Sequence, residues 1–233
     1  MTNNALLVLE SPWGTPKEDP KRTSVLPFLQ GLERIKNNFN VYYSTFYDNH
    51  GLEKALEKDL TRTKEKRQIL YIAAHGGKNQ LVNDEARKAL KMIPKYGRYI
   101  KGVMLGCCRI GLNLKIVKSA LSYSEESGEY GANWIFCYKY YIDWTYSMLL
   151  DLSILENIFD DENTNSNSKE KIINTFYNAL KLFDKNYEIA TDDSGNSKKL
   201  YQSIRLIVRG KGAFQPKDVT NELLLKLGWE KEG

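Results

Sequence analysis

The chain is poor in the residues that bind metals or build covalent frameworks. Only two histidines and three cysteines occur in 233 residues. Cys107 and Cys108 are adjacent and Cys137 stands apart, so an odd count with one neighbouring pair excludes a regular disulfide framework and points to a reducing cytoplasm. There is no Cys-x-x-Cys pair, which together with the scarcity of histidine argues against zinc. Long apolar runs are also missing. No stretch approaches the 18 or so residues of a transmembrane helix. The start, Met-Thr-Asn-Asn-Ala-Leu-Leu-Val-Leu-Glu, has no basic opening and no small-residue cleavage site, and reads as a first strand rather than a secretion signal. Net charge is small for the length, +5, with acids and bases interleaved. The densest basic run, Lys64, Lys66 and Arg67, is a solvated approach to a strand, and no nucleic-acid recognition motif accompanies it. The loops after the first and third expected strands lack a Gly-x-Gly-x-x-Gly or phosphate-loop pattern, which weighs against a nucleotide-binding domain. No internal repeat is present.

What remains is an alternation of strands and helices. Apolar or β-branched runs at 5–10, 40–47, 68–74, 101–107 and 133–142 predict five strands. Between them, apolar residues recur at helical spacing: Phe28, Leu29, Leu32 and Ile35; Leu52, Leu56 and Leu60; Ala86, Ala89, Leu90 and Ile93, ended by Pro94; Leu112, Ile116, Val117 and Ala120. A long helix is expected from Trp144 to Phe159 and another around Ile172–Phe183. Alternation at Ile204, Leu206 and Val208 predicts an edge strand over 201–209, and 218–227 is a short amphipathic piece. Residues 160–168 and 191–198 are polar loops. The fold class expected is α/β, a three-layer sandwich around a mainly parallel central sheet. One domain spans 1–233, with a core at 1–160 and C-terminal helices and an edge strand at 168–227.

Two strand ends carry the chemistry. Residues 69–77 read Ile-Leu-Tyr-Ile-Ala-Ala-His-Gly-Gly, and 103–111 read Val-Met-Leu-Gly-Cys-Cys-Arg-Ile-Gly. Each apolar run stops at a reactive side chain followed by glycine. Their separation accommodates one helical crossover between parallel neighbours. His75 and Cys108 would then share the carboxyl edge of the sheet, where open α/β sheets bind ligands. A free thiol has a pKa of about 8.5 and is mostly protonated at neutral pH, so a neighbouring imidazole is what makes it a nucleophile. The competing reading is that both are satisfied structural residues. Cys107, on the opposite face of the strand, is the alternative nucleophile.

These two segments resemble those of the caspase-like cysteine peptidases, a group that includes metacaspases, separases and the bacterial domains called CHAT. Ala73-Ala74-His75-Gly76 is similar to the histidine motif, and Leu105-Gly106-Cys107-Cys108-Arg109-Ile110-Gly111 to the cysteine motif. Trp134–Trp144 resembles the strand and helix start that follow in CHAT-like sequences. The resemblance implies a caspase-like fold, Cys108 as nucleophile, His75 as proton carrier, the backbone N–H groups of Gly76 and Cys108 as oxyanion hole, and no metal or organic cofactor. It implies a protein substrate, an activating partner protein for a chain without a sensor domain, and a role in bacterial defence or programmed death. Neither a nucleic acid nor a membrane is an expected partner. The alternative is a non-catalytic interaction module, a pseudopeptidase or a flavodoxin-like binding domain. Among secondary candidates, Asp143 either lines a pocket for a basic substrate side chain or caps the helix at Trp144. His50 and Asp48 belong to a turn and helix start, and Cys137 to the core.

Overall fold

The computed structural model describes residues 2–14, 17, 23–60, 62–161, 168–210 and 215–229. A seven-stranded sheet runs through it. In chain order its strands are β1 (Asn4–Glu10), β2 (Asn40–Thr45), β3 (Arg67–Ala74), β4 (Ile100–Cys107), β5 (Trp134–Tyr138), β6 (Ile204–Val208) and β7 (Lys217–Asp218). Their spatial order is β7-β6-β5-β4-β3-β1-β2. β2, β1, β3, β4 and β5 are mutually parallel, β6 runs antiparallel to β5, and β7 pairs antiparallel with β6.

The sandwich follows from the alternation of side chains along each strand. Leu6, Val8, Ile69, Tyr71, Met104, Trp134, Phe136 and Tyr138 face one way, into a core closed by four helices: α1 (Leu26–Lys36), α3 (Trp144–Asp160), α4 (Lys169–Leu180) and α5 (Thr220–Lys226). Leu7, Leu9, Leu70, Ile72, Val103, Leu105, Cys107, Ile135 and Cys137 face the other way. There α2 (Ala86–Tyr96), the Asn49–Leu60 helical segment and short turns at 110–121 cover them. Both faces of β3 are buried along its whole length, which is why its sequence is apolar without alternation. Among the described residues no helix is long and apolar enough to cross a membrane.

The three-layer α/β class matches expectation, and several local expectations do not. Pro94 lies inside α2 rather than ending it. One lost N–H near a helix end is tolerated, and the helix closes at Gly97, whose N–H bonds the Ile93 carbonyl. Ile35 on α1 is 80% exposed, so the stripe on that helix narrows to Leu29 and its neighbours. The expected strand at 133–142 is two: β5 stops at Tyr138, and Tyr141–Ile142 leaves the sheet to pair with Glu188–Thr191. β6 is not an edge strand, because β7 pairs outside it. The polar stretch at 191–198 closes a hairpin between Glu188–Thr191 and Ser197–Lys199. Most of the 160–168 linker lies outside the described residues.

One carboxyl group is sealed in the larger core. Asp151 on α3 is 1% exposed and accepts from the Tyr71 and Tyr138 hydroxyls, each at 2.6 Å. Burial pushes its pKa up to about 7, and the two tyrosine bonds only partly oppose that rise. The unfolded chain ionises this group near the ordinary value of 3.8 while the folded protein keeps the proton. Stability from this site is therefore complete below about pH 4 and is lost as pH rises towards about 7. In urea titrations, wild type should lose stability relative to Asp151→Asn across that window and run parallel to it above. A difference that does not vary with pH would show that the carboxyl is not held protonated.

Candidate active site

Register builds the site. β3 and β4 pair Ala73 with Gly106 and Ala74 with Cys107. His75 and Cys108 are the next residues of two parallel neighbours, so both leave the sheet at its carboxyl edge. The chain beyond each is pinned. The His75 carbonyl accepts from the Val82 N–H at 2.8 Å, and the Gly77 N–H donates to Gln80 at 2.9 Å. These bonds flank a Gly76–Leu81 bridge and leave the Gly76 N–H outside the ladder. After Cys108 the backbone turns sharply: Arg109 is left-handed at φ 59°, its N–H bonds the Tyr140 carbonyl at 3.1 Å, and a short helical turn follows at Ile110–Leu112. A non-glycine residue in that region is uncommon, and here it lifts the cysteine off the end of its strand.

The two backbones touch at Gly76. A Cβ there would lie 2.4 Å from the Cys108 carbonyl oxygen and 3.0 Å from the Cys108 nitrogen, so only glycine fits. Below, a Cβ at Gly106 would meet the Tyr71 hydroxyl at 2.6 Å, which ties the floor of the site to the buried Asp151 cluster.

His75 is exposed and Cys108 is half-buried. The imidazole Nε2 is hydrogen-bonded to the Trp13 carbonyl, and the indole meets the ring edge-on with centroids 5.5 Å apart. A carbonyl only accepts, so in the neutral ring Nε2 carries the proton and Nδ1 the lone pair. Burial raises the Cys108 thiol above its ordinary value, although the Ile142 backbone N–H and the Arg109 guanidinium pull it down. Among the described residues no hydrogen bond joins the Cys108 sulfur to the imidazole. Burial thus favours the neutral thiol over the thiolate at this position. Arg109 itself is held by the Tyr141 hydroxyl at 2.6 Å and by Asp193 at 2.7 Å.

Cys107 is fully buried, donates to the Ile72 carbonyl at 3.3 Å, and has its pKa driven far up by desolvation. Cys137 is equally buried and pushed up to about 12. Asp143 caps α3 by accepting from the Tyr146 N–H at 3.0 Å. Asp48 caps the Asn49–Lys54 helix through the Gly51 N–H at 2.7 Å, and the exposed His50 lies within that helix. No sequence motif marks Trp13 or Glu10. The available signal was that the first apolar run also stops at a polar side chain on the same edge. Among the described residues no three His, Cys, Asp or Glu side chains group so as to hold a metal ion.

No family model and no curated protein matches the chain. Among solved structures it is similar to a secreted C11 cysteine protease from Bacteroides thetaiotaomicron, crystallised with an irreversible peptide inhibitor. The TM-score is 0.51 at 9% identity, covering 95% of this chain and 67% of that one. The chain therefore has the caspase-like sandwich fold. The likeness is to a C11 protease and does not favour the CHAT subgroup. At 9% identity it extends to the fold alone.

The burial pattern predicts an order of thiol reactivity. In the folded protein iodoacetamide should modify Cys108 well before Cys107 or Cys137, as read by peptide mass spectrometry. Its rate should keep rising with pH beyond the ordinary thiol range. Equal rates for all three would mean a sealed site, and a plateau already at neutral pH would mean a preformed thiolate.

Proposed function

We propose that the protein is a cysteine peptidase in which Cys108 is the nucleophile and His75 the general base. The observation that carries this reading is the register of β3 and β4, which sets a half-buried thiol and an exposed imidazole of defined tautomer on neighbouring strand ends. The caspase-like fold, shared with a protease, supports it.

The steps follow from the groups present. The lone pair on His75 Nδ1 takes the thiol proton as sulfur attacks the carbonyl carbon of the scissile bond. The developing oxyanion is held, on this reading, by the N–H groups of Gly76 and Cys108, whose backbones approach closely at Gly76. The tetrahedral intermediate collapses with cleavage of the C–N bond, and the imidazolium delivers its proton to the departing amine. Water, deprotonated by the same imidazole, then attacks the thioester and releases the acid and the free thiol. These steps need no metal or organic cofactor. The substrate on this reading is a protein, met in the cytoplasm.

A second reading, a pseudopeptidase that only binds partners, draws on one observation: the sulfur meets the Ile142 N–H and not the imidazole, and its pKa is raised. The two separate on turnover. Against a fluorogenic peptide library, Cys108→Ala should lower kcat/KM by at least about a thousandfold, and His75→Ala by a comparable factor. A bromomethyl or chloromethyl ketone peptide should form one adduct, on Cys108. Activity that survives Cys108→Ala would refute the assignment, and wild type inert to both library and inhibitor would favour the binding module.

A further inference from the structure

We propose that Glu10 is the positioning residue for the His75 imidazole, acting through Trp13; this rests on the peptidase reading of Cys108 and His75. Glu10 is the last residue of β1 and is 2% exposed. A carboxylate so placed is stable only if donors surround it. Four do. The Trp13 indole N–H at 3.2 Å and the Val25 backbone N–H at 2.9 Å reach Oε1. The Ser24 hydroxyl and the Tyr43 hydroxyl, the latter at 2.9 Å, reach Oε2. They come from three segments: the turn after β1, the approach to α1, and the edge strand β2.

The consequence for His75 comes through the turn. Ser11 N–H bonds the Ala73 carbonyl at 2.9 Å, so the chain leaving β1 is fastened to β3 two residues before the histidine. Two residues beyond Ser11, Trp13 is fastened again by its indole to Glu10. The backbone between these anchors points the Trp13 carbonyl at His75 Nε2, and the indole edge limits rotation of the imidazole. That carbonyl selects the tautomer that leaves Nδ1 free to accept a proton. Glu10 touches neither substrate nor the reacting atoms. Its role is to hold the acceptor that fixes which nitrogen is the base.

The test reads the tautomer directly and does not require turnover. The chain contains two histidines, so ring nitrogen-15 spectra hold only His75 and His50, and His50 serves as the internal control. Wild type should show His75 protonated at Nε2 with a protected ring N–H. Glu10→Gln and Trp13→Phe should each mix the tautomers and speed exchange of that proton, while His50 stays as it was. In the same variants kcat should fall roughly tenfold to a hundredfold with KM unchanged, the pattern of a misplaced reacting group. If Glu10→Gln does not fold, Trp13→Phe carries the test, because it spares the bonds from Val25, Ser24 and Tyr43. Folded variants that keep the wild-type His75 tautomer and exchange rate would overturn the proposal. Activity that persists in Cys108→Ala would instead sink the peptidase reading and leave the tautomer result standing.

Discussion

Parallel pairing of β3 with β4, Ala74 opposite Cys107, is the constraint on which the rest of the site depends. Both strands are buried on both faces, so their register is set by which side chains enter which helical layer. Sliding one strand by a residue would move its whole apolar set to the wrong layer. The same requirement that packs Leu70, Ile72 and Leu105 against α2 therefore delivers His75 and Cys108 to one edge at one height. The placement of the two side chains at the rim is a by-product of core packing.

Close contact then does what register alone cannot. Without a side chain at Gly76, the histidine and cysteine backbones meet directly, and the left-handed Arg109 turns the chain away as soon as the thiol has been presented. Arg109 is bound in turn to Tyr141 and Asp193, from the small sheet beyond β5. The adjacent cysteines divide the work by strand alternation: Cys107 points into the layer under α2, where desolvation keeps it protonated, while Cys108 lies at the rim. The electrostatics of Cys108 are a balance in which burial outweighs the Ile142 N–H and the nearby guanidinium. On the peptidase reading a thiol in that state needs a base of the right tautomer beside it, and the setting of His75 is what would supply one.

Much of this was legible in the residues. The unbroken apolar run at 68–74 reads correctly as a strand buried on both faces, and 101–107 as a neighbouring strand. The glycines after each reactive residue marked the edge where chain must approach chain. Helical stripes such as Leu52, Leu56 and Leu60 placed the second layer, and all three are buried. Errors cluster where partners decide the outcome. Tyr141–Ile142 has strand propensity, but which sheet it joins depends on the Glu188–Thr191 strand, far along the chain. Ile35 fits a helical stripe and yet lies on the solvent side of α1. β6 alternates like an edge strand and is shielded by two residues of β7.

The sequence by itself determined the layer pattern, the strand ends and the two candidate side chains that stand there, because alternation, helical spacing and glycine placement are local properties. Only the tertiary structure decided that Ala74 faces Cys107, that Asp143 is a cap, that Asp151 is a sealed acid between two tyrosines, and that Glu10 and Trp13 stand behind the imidazole. Apart from the Asp143 cap and the Glu10–Trp13 bond, which join residues three apart, those are pairings between residues distant in the chain. They are settled by which apolar faces bury together and which buried polar atoms find partners, and neither quantity exists until the layers have closed.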